Sequence, residues 1–195
     1  MINKNLPIYE IRIDLEDPNT FVEFNSLVHD PAHEITFQTF SKQKRFEFND
    51  EKKVVTGIAI SADTPIYRND GSEEYYVVFK KDAISDIIHD YARNGRFNNV
   101  NFEHNSEKID GVYMIGSYQI DNEKGFTAPE RFKDASDGSW ITSYKFENEE
   151  MYKRVKKGEV KGFSVEGTFV MDEFGFKKEA QILKAIEELN TLLKK

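Results

Sequence analysis

The chain has 195 residues, with 35 acidic against 27 basic side chains and a net charge of −8; no basic stripe stands out to neutralise phosphates, which argues against a general nucleic-acid-binding role. Cysteine is absent, which excludes disulfides, thiolate metal sites and a cysteine nucleophile. At 38% hydrophobic and 13% aromatic, with 16 Phe and 9 Tyr, the chain can fill a core, and with no signal-peptide core or run of membrane-spanning length it is expected to be soluble and intracellular.

In chain order, Ile8 to Leu15 alternates as a strand, ended by Glu16-Asp17-Pro18-Asn19. Phe21 to Val28 predicts a second strand, stopped at His29-Asp30-Pro31. Arg45 to Phe48 and Val54 to Ile60 flank a turn and read as a hairpin. A loop follows through Pro65, and Asn69-Asp70-Gly71 turns into a strand over Tyr75 to Phe79. The first helix starts at Asp82 as N-cap, puts Ile84, Ile87, Ile88 and Tyr91 on one face, and ends at Asn94-Gly95. Val100 to His104 is expected as a short strand and Gly111 to Asp121 as a longer one. Asn122 to Gly138 is a long polar segment, a candidate lid or substrate clamp. Trp140 to Phe146 predicts a strand, and Asn148 caps a short helix through Lys157. After the strand around Ser164, Asp172-Glu173-Phe174-Gly175 is expected to turn into a final helix from about Lys178. That helix carries Ile182, Ile186, Leu189 and Leu193 on one stripe, able to pack on the domain or to bind a copy of itself or a partner. The sum is an α+β fold of six to eight mostly antiparallel strands with two or three helices.

The stretch Gly158-Glu-Val-Lys-Gly-Phe-Ser-Val-Glu-Gly167 has the alternation of a strand, with Phe163 and Val165 facing the core and Ser164 and Glu166 sharing the other face. Its glycines suit close approach of a backbone or ligand. Ser164 is therefore a candidate nucleophile, against the plain reading of a small residue in an ordinary sheet. Of the four histidines, His89 reads as a surface or boundary residue of the first helix. His29 and His33 have metal-like spacing, but Pro31 prevents the helical turn that would align them and a third ligand is lacking, so no metal site is expected. His104, at a strand end beside a loop, is placed to meet a residue of another strand and to act as its base; a surface histidine is the alternative. Gly162-x-Ser164-x-x-Gly167 is one residue too long for an α/β-hydrolase elbow, and strand rather than helix follows it.

Five stretches together, Val55-Thr-Gly-Ile-Ala, Glu74-Tyr-Tyr-Val-Val-Phe, Asn101-Phe-Glu-His-Asn105, Gly138-Ser-Trp140 and Val160-Lys-Gly-Phe-Ser-Val-Glu-Gly167, resemble the phage prohead (capsid-maturation) serine proteases, in their XkdF-like branch. The likeness covers roughly residues 50 to 170. It implies an assemblin-like closed β-barrel ringed by helices, with Ser164 as nucleophile and His104 as general base. Assemblins use a second His as third member and other prohead proteases an acid; Glu166, Asp121 and Glu23 are the candidates here. Glu23 enters because Phe24-Asn-Ser-Leu-Val-His-Asp-Pro-Ala32 is similar to a Ser-Leu-Val-x-x-Pro-Ala stretch that other prohead proteases carry after their serine, as though permuted to the N-terminus. Gly167 and its neighbours are candidate oxyanion donors. The resemblance implies a protease domain over residues 1–176, with 1–50 a permuted or accessory part, and an amphipathic helix over 177–195 suited to docking scaffold or to forming a homodimer. Scaffold and major capsid protein would be the substrates, cleaved in the host cytoplasm inside the assembling procapsid, without cofactor, nucleic acid or membrane. The chain would then end where a scaffold begins or was removed. The competing readings are a non-catalytic phage structural or scaffold-associated protein on the same barrel, and a serine hydrolase or esterase of unrelated role.

Overall fold

Alternating hydrophobic stretches become strands wherever one face can be buried, and the computed structural model, which describes residues 6–29, 46–69 and 71–173, contains ten of them. They are β1 (Ile8–Arg12), β2 (Phe21–Val28), β3 (Glu47–Asn49), β4 (Val54–Ile60), β5 (Ile66–Asn69), β6 (Glu74–Phe79), β7 (Val112–Gln119), β8 (Trp140–Phe146), β9 (Gly162–Thr168) and β10 (Val170–Glu173). Two α-helices, α1 (Lys81–Arg93) and α2 (Glu149–Lys156), complete the regular elements of the described residues.

The strands form three sheets: β10-β1-β6-β5, in which β1 and β6 run parallel; the antiparallel pair β2-β9; and the antiparallel β3-β4-β8-β7. None closes into a barrel, which corrects the expected architecture while keeping its α+β class. The seam that stays open lies between β9 and β4. There Phe163 packs edge-on to Phe46 and tilted on Tyr144, each with centroids 5.0 Å apart. A Cβ at Gly57 would stand 3.0 Å from the Phe163 ring. Aromatic packing, rather than a ladder of hydrogen bonds, joins these two strands.

The core is continuous across the sheets, with Trp140, Tyr91, Tyr144, Phe146 and Phe163 essentially inaccessible. α1 buries Ile84, Ile87 and Tyr91 as its periodicity predicts, but Lys80 rather than Asp82 is its N-cap; Asp82 sits in the first turn, where its charge suits the helix dipole. Asn148 does cap α2, accepting from the Met151 amide at 3.0 Å. Ile66–Asn69, for which no strand was expected between the loop ending at Pro65 and the turn at Asn69, is a strand because it pairs with β6. Asp172 and Glu173, expected in a turn, belong to β10, which pairs with β1. The segment 122–138 is built rather than structureless: it holds two single 3₁₀ turns, Phe132 is buried, and Asp137 joins Lys81 to the Asn122 amide. The expected C-terminal helix and its stripe lie outside the described residues.

Candidate active site

β2 and β9 are antiparallel with Ser26 directly opposite Ser164, Phe24 opposite Glu166 and Val28 opposite Gly162. Residues opposite one another in a ladder share a face, so Ser26, Ser164 and Glu166 stand together, while Leu27 and Phe163 fill the core beneath. The expected division of β9 into a Phe163/Val165 face and a Ser164/Glu166 face therefore holds. Gly167 lies opposite Val22, beside a shift of register, and a Cβ there would come within 2.0 Å of the Phe21 carbonyl oxygen. Close backbone approach explains that glycine.

On the other edge of β2 runs the segment carrying His104. Asn25 N–H donates to the Asn99 carbonyl, Leu27 N–H to that of Asn101, and Glu103 N–H back to that of Leu27, all at 2.9–3.1 Å. The segment is not the strand expected over Val100 to His104. It makes a single parallel bridge, Leu27 to Phe102, and then Glu103 and His104 both take left-handed backbone angles, φ +51° and +57°. Two consecutive non-glycine residues in that region cost about 1–2 kcal/mol each. The surroundings hold them there. The Glu103 carboxylate accepts from the His29 amide at 2.5 Å, the Asn101 side-chain amide donates to the Asn105 carbonyl at 2.5 Å, and Arg154 lies over the Phe102 ring at 4.1 Å. Underneath, Tyr91 donates to the Asn99 carbonyl and the Asn25 side chain donates to Tyr144, tying both strips to the core. Burial raises both phenols above their ordinary range, so both stay neutral, Tyr91 as a donor and Tyr144 as the acceptor from Asn25.

The left-handed bend turns the His104 ring over β2. Its Nδ1 lies 3.1 Å from Ser26 Oγ and 3.4 Å from Glu166 Oε2, and the same carboxylate oxygen accepts from Asn101 Nδ2 at 3.0 Å. A carboxylate beside Nδ1 favours the tautomer with its proton there, leaving the lone pair on Nε2. Nε2 has no hydrogen-bond partner among the described residues. Ser26 is completely buried and Ser164 is 8% exposed, whereas His104 is exposed.

Of the candidates named from sequence, His104, Ser164 and Glu166 are thus gathered on one surface, with Ser26 between the strips that carry Ser164 and His104. No hydrogen bond joins His104 to Ser164. Glu23 is engaged elsewhere, 2.9 Å from Asn99 Nδ2 and 3.6 Å from Arg96. Asp121 caps the turn Asn122–Lys124 and pairs with Lys124 at 2.8 Å, and that hydrogen bond holds its carboxyl below the usual range. His89 is exposed on α1, and His29 is exposed after β2; His33 lies outside the described residues. Among the described residues no cluster of three or more His, Asp and Glu side chains is arranged to hold a metal, and no helix is long and apolar enough to cross a membrane. Ser26 and Asn101 were missed as site residues. Both lie in stretches that carry the family resemblance, but only the pairing of β2 with β9 and with the His104 segment brings them to the site.

Comparison with curated proteins and with solved structures gave no match. A family model matches residues 39–173. That range contains Asn101, His104, Ser164 and Glu166, and it begins after Glu23 and Ser26. With more than two thirds of the chain matched, the chain belongs to the family described as Putative phage serine protease XkdF.

Proposed function

We propose that the chain is a serine endopeptidase that cleaves scaffold and capsid-protein segments during phage procapsid maturation, within the assembling procapsid in the host cytoplasm. The observation that carries this reading is the carboxylate of Glu166 on His104 Nδ1, on the surface shared with Ser164. In the reaction, Ser164 Oγ attacks the scissile carbonyl carbon and its proton passes to His104. The imidazolium, stabilised by Glu166, then gives that proton to the leaving amine, and water repeats the sequence on the acyl-enzyme. Backbone N–H groups near Gly167 are the candidate oxyanion donors. Of the three acids considered as third member, Glu166 is the one within reach of the imidazole, so Asp121 and Glu23 are set aside. Scaffold docking or self-association through residues 177–195 belongs to the same proposal.

One observation favours a rival nucleophile: Ser26 Oγ, not Ser164 Oγ, is the hydroxyl within hydrogen-bond distance of His104. Its complete burial weighs against attack on a polypeptide. Treatment with a fluorophosphonate at neutral pH, followed by intact-mass analysis and peptide mapping, separates the cases. The expected result is one adduct, on Ser164, lost in Ser164→Ala and much slower in His104→Ala. An adduct on Ser26 makes that residue the nucleophile. Absence of any adduct, with and without added scaffold protein, favours a non-catalytic structural protein.

A further inference from the structure

The β5–β6 hairpin turns one face into the core, where Ile66 and Val77 are paired and buried. The next pair on that face, by the two-residue period of a strand, is Arg68 with Tyr75. A guanidinium on an inward face ordinarily meets a carboxylate, because burying an unpaired charge is costly. Arg68 has no carboxylate partner among the described residues; its Nη1 donates to the adjacent Tyr67 carbonyl at 3.3 Å. Burial holds this guanidinium below its ordinary range, with Tyr75 acting in the opposite direction.

Arg68 lines a cavity of about 140 Å³ whose other walls include Ile11, Ile66, Phe79 and Phe169. Space of roughly that size takes a group as large as benzene. Ser164 lines the same cavity. An apolar cleft with one convergent cation is the usual composition of a site that reads a side chain, and the planar fork of arginine matches a carboxylate.

We propose that this cavity is a specificity subsite that takes an acidic residue of the substrate, Asp or Glu, its carboxylate paired with Arg68 and its methylenes against Ile66 and Phe79. The proposal rests on the reading of Ser164 as nucleophile: the cavity is lined by Phe163 and Val165 as well as Ser164, and it meets the surface of His104 and Glu166 at Ser164. It also gives Arg68, which has no carboxylate partner among the described residues, a partner that arrives only with substrate.

The test begins with binding, which needs no chemistry. The ¹⁵N-labelled full-length chain is titrated with acetyl-Ala-Glu-Ala-amide, with its Gln counterpart, and with acetyl-Ala-Ala-Gln bearing a free α-carboxylate. The Arg68 Nε–H signal, identified by its loss in Arg68→Gln, is followed throughout. A saturable shift with the Glu peptide and none with its Gln counterpart is expected. No shift, or an equal shift with both, overturns the proposal; a shift confined to the free α-carboxylate overturns it in favour of a chain-terminus site. Cleavage of a mixed peptide library is then expected to favour Asp or Glu over Asn or Gln at one fixed position by about 10- to 100-fold. Arg68→Gln abolishes that preference, and Arg68→Lys retains part of it. Fluorophosphonate labelling of Ser164 without acidic preference sinks the subsite and leaves the peptidase. Glu-peptide binding without labelling sinks the peptidase and leaves a carboxylate site.

Discussion

Two regions of this molecule are built by opposite rules. The β3-β4-β8-β7 sheet with α1 is mainly apolar inside, its largest side chains (Trp140, Tyr91, Tyr144 and Phe146) fully buried and its strands paired antiparallel, with register shifts between Ile58 and Ile60 and between Met114 and Gly116. The β2–β9 pair with the segment 99–104 buries Asn25, Ser26, Asn99, Asn101 and Ser164, shifts register between Val22 and Phe24, and places Glu103 and His104 in left-handed backbone. Polar burial and strain cost stability and persist where a well-packed neighbour over-determines them. The difference teaches that the first region is a platform, and that the second holds an imidazole, a carboxylate and two hydroxyls in an arrangement the isolated segments would not adopt.

The comparison breaks most visibly at the chemistry. Ser164→Ala is expected to abolish the fluorophosphonate adduct and to lower peptide hydrolysis roughly 10⁴- to 10⁶-fold, with the urea midpoint nearly unchanged. A large fall in that midpoint would mean that Ser164 is a packing residue. Glu166→Gln leaves the shape intact but removes the carboxylate that favours a proton on Nδ1, and a loss of up to about 10⁴-fold in turnover is expected. Unchanged turnover would show that Glu166 does not orient His104.

On the platform side the effects are on stability. Trp140→Ala is expected to cost about 3–5 kcal/mol in urea denaturation, enough to test whether the apolar sheet carries the fold. In the β2–β9 pair, Gly167→Ala puts a Cβ against the Phe21 carbonyl oxygen and pushes β2 away from β9, and a cost of about 1–3 kcal/mol is expected. Its adduct rate should fall as well, since the same ladder aligns Ser26 with Ser164; a normal rate would separate register from reactivity. The smallest effect concerns Asp50, whose carboxyl is held below its usual range by hydrogen bonds from Lys156 and Tyr152. A depressed folded pKa contributes stability above the unfolded value, near 3.8, and loses it as pH falls through the folded one. Asp50→Asn should therefore lower Tm slightly at pH 7 and not at all once both forms are protonated.

Much of this was legible from local pattern. β2 and β8 have the predicted limits, Asn148 caps α2, and the buried face of α1 follows its Ile and Tyr spacing. The short strand β5 escaped notice because four residues carry too little alternation, and its identity as a strand comes from β6. The segment around His104 was misread because Val100 and Phe102 alternate like a strand, although backbone bonds to one edge of β2 leave it irregular. The closed barrel was an inference from resemblance, and the aromatic seam between β9 and β4 does not follow it.

For the site, the sequence determined which side chains carry chemistry and which face of β9 they occupy, since the period of two is a local property of an extended chain. It also determined the family, through short stretches whose order and spacing survive in a linear string. Ser26 opposite Ser164, Glu166 within reach of His104 rather than Glu23 or Asp121, and Arg68 on the wall beside Ser164 were decided by tertiary structure alone. Each joins residues tens of positions or more apart, and such pairings depend on register and packing that no local pattern encodes.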